Sequence, residues 1–249
     1  TDAIRQPSFR SMCLILFSLN PNDQFKLVLA ANRDEKYDRP SSAADFWDDH
    51  PEVLAGRDLS AGGTWLGVTR SGRFAAVTNF REDPPHPIPP RSRGELTANF
   101  LIGDDSPHHY LHQVAQIGDE YRGFNLIVGD NNEFCYLSNR EGIVRNLSAG
   151  YYGLSNQLLD CDWPKVVQGR NRLDALSPEQ MDSEHLYPLI FDDGDHRAFS
   201  QSFIRSERYG TTASTVLCVS QSGQVTFEER TFGVLGRARG ANRYDFSIT

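Results

Sequence analysis

The sequence lacks long hydrophobic runs. None of its apolar segments approaches the ~20 residues that a bilayer-spanning helix needs, and its first twelve residues lack the hydrophobic centre of a secretory signal. Only four of its 249 residues are cysteines. So few cysteines, without an extracellular address, indicate free thiols rather than a disulfide framework. We therefore expect a soluble cytoplasmic protein without a transmembrane segment.

Positive charge is also scarce. The chain has 25 lysines and arginines against 33 aspartates and glutamates, which gives a formal net charge of −8. Such a chain repels a phosphate backbone on average, and no dense basic stripe offsets the repulsion. We therefore expect no nucleic-acid partner. The sequence carries no indication of an oligomeric state.

Short apolar segments occur in pairs, and each pair is joined by residues that favour turns. The pairs are Cys13–Leu19 with Phe25–Ala31, Thr64–Thr69 with Arg73–Asn79, Asn125–Val128 with Glu133–Ser138, and Ser214–Val219 with Gln224–Arg230. Links this short cannot make a parallel crossover, so the pairs predict antiparallel hairpins. The helix candidates between them are Gly94–Ile102, Pro107–Gln116, Trp163–Leu176 and Pro178–Phe191. This order favours an α+β fold, with two antiparallel sheets between outer helices.

No repeat or linker divides the chain, so we predict a single domain over residues 12–236. Residues 1–11 are expected to be an N-terminal extension: cloning residues, residues before a mis-set start, or a propeptide removed before Cys13. Five of the thirteen prolines lie in 83–90, which predicts a surface loop. Residues 237–249 are predicted to be a C-terminal tail, either a flexible end or a strap across the surface.

Cys13 begins the first predicted strand, directly after Met12. One interpretation is a buried apolar residue, because free cysteine is among the most buried residue types. The other starts from removal of Met12, which leaves Cys13 with an α-amine of pKa near ~8 that can act as a base for its own thiol. Arg33 is then a candidate cation for the thiolate, and Asp34 a candidate acceptor for the amine. The competing interpretation of the run 32–35 is an exposed, charged strand end.

Four further residues have two interpretations each. Asn79 and Asn156 lie at predicted strand ends, where an amide NH₂ can donate to an oxyanion or simply close a turn. Trp65 follows two glycines and offers either a flat pocket wall or a core side chain. Arg57, in Gly-Arg-Asp, is either a pocket residue or part of a local salt bridge.

His108 and His112 lie one helical turn apart in a predicted helix. Such a pair suits a metal ion or, for one histidine, haem iron. No carboxylate or cysteine accompanies them, and surface histidines are the commoner case. We therefore predict no metal site.

Eight short motifs, taken in order, resemble the NRDE-domain family, also called the Transport and Golgi organisation protein 2 family. They are Met12-Cys13, Asn32-Arg33-Asp34-Glu35, Gly56-Arg57-Asp58, Gly62-Gly63-Thr64-Trp65-Leu66-Gly67, Thr78-Asn79-Phe80, Ser92-Arg93-Gly94, Gly123-Phe124-Asn125-Leu126 and Tyr152-Gly153-Leu154-Ser155-Asn156. The resemblance extends from Met12 to about Phe232. That family in turn resembles the N-terminal-nucleophile hydrolases, in particular penicillin V acylase and bile-salt hydrolase. This implies a four-layer αββα sandwich.

The resemblance also implies hydrolysis of an amide C–N bond through an acyl-enzyme, on a small or lipid-like substrate and without a required cofactor. Cys13 would be the nucleophile and its amine the base. The other catalytic candidates, for orientation and for the oxyanion hole, are Arg33, Asp34, Asn79 and Asn156. The candidates for substrate binding are Asn32, Arg57 and Trp65.

The alternative function is a non-catalytic carrier. The family is associated with the movement of haem and with lipid or acyl-CoA metabolism, so the same pocket would hold haem or an acyl-type ligand. Two features favour this alternative. While residues 1–11 remain attached, Cys13 is peptide-bonded and has no free amine. In addition, Thr212 occupies a position where the family pattern leads us to expect an arginine.

Overall fold

The computed structural model describes residues 13–82 and 91–249, which form thirteen β-strands and four α-helices. The strands are β1 Leu14–Leu19, β2 Phe25–Lys36, β3 Ser41–Phe46, β4 Val53–Asp58, β5 Leu66–Thr69, β6 Phe74–Asn79, β7 Phe124–Gly129, β8 Phe134–Ser138, β9 Val144–Leu147, β10 Gly150–Leu154, β11 Tyr209–Ser220, β12 Gln224–Phe232 and β13 Ala238–Ser247. The helices are α1 Arg93–Ile102, α2 Pro107–Gln116, α3 Pro164–Asp174 and α4 Ser183–Ile190. The predicted N-terminal extension, Met12 and the predicted loop 83–90 lie outside the described residues.

The strands form two antiparallel sheets. The first has the order β10-β1-β2-β11-β12-β13, and the second runs from β3 to β9 in chain order. The four predicted hairpins are confirmed as β1–β2, β5–β6, β7–β8 and β11–β12. Because β2 continues to Lys36 and pairs with β11 on its second side, residues 32–34 lie in a central strand. The interpretation of this run as an exposed strand end is therefore wrong.

The sheets pack face to face, and each carries two helices on its outer side. Phe17 and Leu29 of the first sheet meet Phe74, Ile127 and Tyr136 of the second in the inner core. A second apolar cluster joins α1 and α2 to the second sheet, and a third joins α3 and α4 to the first. The four-layer αββα arrangement predicted from the sequence is confirmed.

This arrangement explains why five of the six residues of β1 are apolar. Neighbouring side chains of a strand point to opposite faces of the sheet. Leu14 and Leu16 therefore pack beneath α3 and α4, while Ile15, Phe17 and Leu19 face the other sheet. A strand covered on both faces is apolar at most of its positions rather than at every second one.

Two predicted elements differ from the structure. The helix expected over Pro178–Phe191 begins only at Ser183, because Asp182 caps it by accepting a hydrogen bond from the His185 amide. The predicted tail is wrong for Ala238–Ser247, which pairs along β12 as an edge strand. Its exposed positions are polar, which hid the strand pattern, but Tyr244 and Phe246 pack against Phe46. No helix in 13–82 or 91–249 is both long and apolar enough to cross a bilayer.

Glu229 joins the two sheets from inside the sandwich. It lies in β12 with 2% of its surface exposed, and its Oε1 accepts a hydrogen bond from the Ala44 amide of β3 at 2.7 Å. Burial raises the pKa of this carboxyl from 4.5 to about 7, although the Ala44 hydrogen bond and the Arg33 charge oppose the rise. The folded protein therefore holds a proton on Glu229 more tightly than the unfolded chain does.

This raised pKa predicts a loss of stability with rising pH. The contribution of protonated Glu229 is full below pH 4.5 and is lost as the pH rises through about 7. Glutamine keeps an oxygen for the Ala44 amide but cannot ionise. When the pH is raised from 5 to 8, the free energy of unfolding of Glu229→Gln should therefore rise by ~2 kcal/mol relative to that of the unmodified protein. Urea unfolding of both proteins at the two pH values measures the gain; a constant difference between them would contradict it.

Candidate functional site

A cavity of about 380 Å³ opens where the two sheets meet the start of α1. Cys13, Arg33 and Asp34 line it from the first sheet, and Trp65 and Asn79 line it from the second. These are five of the eight candidate residues. We call it the Cys13 cavity.

Cys13 is held at the head of β1 by both neighbouring strands. Leu14 lies opposite Asn32 in the β1–β2 register, so Cys13 lies beside the following residues of β2. The Asp34 amide donates to the Cys13 Sγ at 3.4 Å. On the other side, the Ser155 hydroxyl donates to the Cys13 carbonyl at 2.6 Å. The backbone and the thiol of Cys13 are thereby both fixed at the cavity.

The Cys13 thiol is not a ready thiolate. Burial and the Asp34 charge raise its pKa to about 11, although the Asp34 amide and the charges of Lys165 and Arg33 oppose the rise. The thiol is therefore protonated at neutral pH. The Arg33 charge favours the thiolate, as expected, but it does not offset the burial, so loss of the Cys13 proton would require a proton acceptor.

Asp34 supplies a buried, half-satisfied carboxylate next to Cys13. The Thr211 hydroxyl donates to Asp34 Oδ1 at 2.6 Å, whereas Asp34 Oδ2 has no hydrogen-bond partner among the described residues. Burial raises the Asp34 pKa to about 6, against the opposing effects of Lys165, Thr211 and Arg33. At neutral pH, Asp34 is therefore mostly ionised and has one oxygen open to a donor.

Lys165 was missed by the sequence analysis. It is the second residue of α3, is 3% exposed, and its Nζ donates to the Cys13 carbonyl at 3.4 Å. Burial lowers its pKa to about 8, opposed by the charge of Asp34. A lysine in the first turn of a polar helix looks like a solvent-exposed residue. The feature of the sequence that could have indicated its burial is Gly169. A Cβ there would lie 2.6 Å from Leu16, so only a glycine allows α3 to approach β1 this closely.

Arg33 is fixed between Trp65 and Thr212. Its guanidinium lies 4.3 Å from the centre of the Trp65 ring and donates to the Thr212 hydroxyl at 3.2 Å. The same hydroxyl donates to the Arg33 carbonyl at 3.2 Å. The threonine found where an arginine was expected thus holds the cavity arginine in place.

Glycines set the distance across the cavity. A Cβ on Gly63 would lie 2.3 Å from the Gly94 carbonyl carbon, and the Thr64 amide donates to the Gly94 oxygen at 3.1 Å. The start of α1 therefore rests directly on the turn before β5. A Cβ on Gly56 would overlap Trp65, so the glycine leaves the space that the indole ring occupies.

Two candidate residues have structural roles instead. Asn32 donates to the carbonyls of Ile190 and Ser202 at 2.7 and 2.8 Å and accepts from the Ser214 hydroxyl at 2.6 Å. Both of its amide hydrogens are thereby engaged with the protein. Asn32 therefore links β2, β11 and the end of α4, and its contact with a substrate stays a prediction.

Arg57 lies outside the residues that line the Cys13 cavity. It forms a bidentate ion pair with Asp49, at 2.6 and 2.7 Å, and stacks on Trp47. Of its two interpretations, the local salt bridge is the one that the structure contains. Asp58, the next residue of the same motif, does line the cavity, and it pairs there with Arg39.

Asn156 does not line the cavity either. It is 1% exposed, and its NH₂ donates to the Asn79 carbonyl at 2.7 Å. Of the two predicted oxyanion donors, only Asn79 lines the cavity that contains Cys13. Asn156 positions the end of β6, on which Asn79 lies.

Metal-ligating side chains do not cluster in the described part of the chain: no three His, Cys, Asp or Glu side chains are grouped there as a metal ion would require. The His108 and His112 rings contact each other at 3.3 Å on the exposed side of α2. All four cysteines lie within the described ranges and are thiols, as predicted.

Comparison with known proteins agrees with the motif order. The family model described as "Transport and Golgi organisation 2" matches residues 12–233. The chain belongs to this family. The mouse Transport and Golgi organization 2 homolog is 35% identical over 279 residues, which cover 95% of this chain and 99% of the mouse protein. The human homolog is 36% identical over 260 residues, which cover 88% of this chain and 92% of its own length.

Members of the Transport and Golgi organisation 2 family also occur in insects. The Drosophila melanogaster protein of that name is 29% identical over 184 residues, which cover 66% of this chain and 65% of the fly protein. Among solved structures, the Caenorhabditis elegans N-acylethanolamine-hydrolyzing acid amidase ortholog is similar with a TM-score of 0.47 and 12% identity, over 82% of this chain and 92% of that one.

Proposed function

We propose that the chain, in a form that begins at Cys13, is a cysteine amidohydrolase of the N-terminal-nucleophile type that acts on a small or lipid-like amide. One observation carries the proposal. A cysteine thiol lies in an open cavity beside a buried carboxylate whose Oδ2 has no partner among the described residues. That carboxylate, Asp34, is a suitable acceptor for an ammonium group on the cysteine itself.

The free α-amine of Cys13 supplies the proton acceptor that the thiol needs. It takes the thiol proton as Sγ attacks the amide carbonyl, and Asp34 stabilises the ammonium that forms. The Asn79 amide, at the cavity wall, is the candidate donor to the developing oxyanion. The ammonium then protonates the leaving amine, and a thioester remains on Cys13. Water, deprotonated by the amine, hydrolyses the thioester and releases a carboxylic acid.

The test compares chains that differ only in the presence of residues 1–12 or in the Cys13 sulfur atom. One form begins at Cys13 after site-specific cleavage of a fusion, a second retains residues 1–12, and a third begins at the same position as the first but carries Cys13→Ala. Fluorogenic amides of acetic and octanoic acid are the probes. We expect turnover in the first form, and turnover lower by roughly 1,000-fold or more in the other two.

Intact mass gives a second measurement. The form that begins at Cys13 should gain the mass of one acyl group during turnover, and Cys161→Ala should leave this adduct unchanged, because Cys161 lies outside the cavity-lining residues. Equal turnover with residues 1–12 attached, or in the Cys13→Ala form, would contradict the proposal. The N-terminus of the protein isolated from its own cells shows which form occurs naturally.

The carrier function stays a prediction. Among the described cavity residues, the Cys13 thiol is of a ligand type that haem iron accepts, whereas His108 and His112 lie on α2 and outside the cavity lining. Titration with haemin distinguishes the two functions. Saturable one-to-one binding with a defined Soret shift that Cys13→Ala abolishes would favour the carrier. Nonspecific broadening in both proteins would oppose it.

A further inference from the structure

Two arginines that line the Cys13 cavity, Arg93 and Arg122, repel each other and form no ion pair with any residue of 13–82 or 91–249. Arg93 is the first residue of α1, and Arg122 lies just before β7. The Arg93 guanidinium donates to the Gly123 carbonyl at 3.1 Å. The Nε of Arg122 is buried and has no hydrogen-bond partner within 13–82 and 91–249. Burial, followed by the Arg122 charge, lowers the Arg93 pKa to about 10.

Acidic groups of the described residues do not pair with these two arginines. The charges of Glu82 and Glu35 favour the charged form of Arg93, but in the described ranges neither Arg93 nor Arg122 forms an ion pair. Glu82 accepts from the Arg140 Nε at 2.7 Å and from the Gly123 amide at 3.1 Å. Its charge is thus directed to a different partner.

Of the other three arginines of the cavity, Arg33 lies over Trp65 and within 4.0 Å of Glu35, and the remaining two form close ion pairs. Arg39 contacts Asp58 at 2.6 Å, and Arg91 contacts Glu95 and Glu120 at 2.5 and 2.8 Å. Unpaired, partly buried cations are costly in a folded protein, and a functional site is where such an arrangement is retained. The contrast within one cavity therefore singles out Arg93 and Arg122.

We propose that Arg93 and Arg122 form an oxyanion subsite of the Cys13 cavity, which binds the carboxylate or phosphate group of a ligand. A guanidinium donates two parallel hydrogen bonds to either group, and an oxyanion between two guanidinium groups relieves their repulsion. The start of α1 adds to the attraction. Its N-cap, Ser92, lines the cavity and its side chain makes no capping hydrogen bond.

The subsite accounts for a motif that the Cys13 chemistry leaves unexplained, Ser92-Arg93-Gly94. It concerns binding and does not require hydrolysis. If it is combined with the proposed function, on which this extension rests, the substrates are amides that also carry an anionic group, placed in the same cavity as the scissile bond.

The test uses three probes that differ only in their head group: butyl phosphate, pentanoate and pentan-1-ol. Their binding is measured by calorimetry at low ionic strength, with the full chain and with its Cys13→Ala variant, so that turnover cannot affect the result. We expect at least one anion to bind roughly tenfold more tightly than the alcohol. If only butyl phosphate binds, the subsite recognises a phosphate group. If only pentanoate binds, it recognises a carboxylate.

Variants assign the binding to the two arginines. Arg93→Gln and Arg122→Gln are expected to weaken anion binding roughly tenfold, and Arg122→Lys, which keeps the charge without the planar fork, should weaken it less. Arg91→Gln is the matched control, because this substitution removes the same charge from the same cavity. Arg91 is already paired with carboxylates, so we expect the affinity for the anion to change within about threefold. Anions that bind no better than the alcohol, or Gln variants that all behave like Arg91→Gln, would overturn the subsite. Arg122→Lys keeps the comparison decisive if the glutamine variant does not fold.

Discussion

Asp34→Asn is expected to lower the rate of amide hydrolysis by the form that begins at Cys13 roughly 1,000-fold. An ammonium on Cys13 would find its partner in the open Oδ2 of Asp34, and a neutral amide stabilises that ammonium far less. Because the Asp34 pKa is raised to about 6, hydrolysis by the unmodified protein should also decline as the pH falls through about 6. The variant should lose the activity at all pH values.

Glu35→Gln is the matched control for this prediction. Glu35 is the next residue of β2 and lines the same cavity, and its contacts with Arg33 and Arg39 are long, at 4.0 and 3.9 Å. We expect its loss to change turnover within about threefold. Steady-state rates of the three proteins on one amide measure both effects.

Stability separates a chemical role of Asp34 from a structural one. Burial opposes ionisation of Asp34, so a neutral asparagine should leave the melting temperature at pH 8 at least as high as that of the unmodified protein. Asparagine also retains an oxygen for the Thr211 hydroxyl. Lost activity with a lowered melting temperature would indicate a merely structural role.

Gly63→Ala is expected to reduce the free energy of unfolding by about 3 kcal/mol. A Cβ at this position would lie 2.3 Å from the Gly94 carbonyl carbon, and neither backbone can yield without moving α1 away from β5. Because Trp65 and Arg93 lie on the two sides of this contact, the cavity should widen as well. Chemical denaturation measures the loss.

The neighbouring glycine distinguishes crowding from backbone conformation. Gly62 has a φ of +77°, and a Cβ there would meet no atom within 4 Å. Gly62→Ala should therefore cost only about 1 kcal/mol, through the left-handed backbone alone. Equal losses in the two variants would contradict the view that Gly63 is required for the close approach of α1.

The elements predicted correctly are those whose structure is determined by residues close to one another in the sequence. The link 20–23 between two apolar segments was sufficient to predict β1 and β2, because a short turn leaves an antiparallel pair as the only arrangement. The same holds for the other three hairpins. The αββα layers then follow from where the helix segments fall between hairpins.

The missed features depend on contacts between distant residues. Lys165 reaches Cys13 only because α3 docks on β1, and Arg122 reaches Arg93 only because β7 lies beside β6. The sequence also does not show which way each residue of a strand faces. Arg33 contacts Trp65 of the opposite sheet, while Asn32 contacts Ile190 at the end of α4. One residue of the run therefore lines the cavity and its neighbour holds the outer layer.

The pairing of β2 with β11 has a consequence for synthesis of the chain. Thr211 and Thr212, which hold Asp34 and Arg33, follow those residues by almost 180 positions. A ribosome delivers the chain from its N-terminus, so Cys13 and β1 emerge long before β11, the strand that completes their surroundings. Until β11 has emerged, Asp34 and Arg33 therefore lack these two partners. The surroundings of Cys13 are complete only after residues far along the chain have been made.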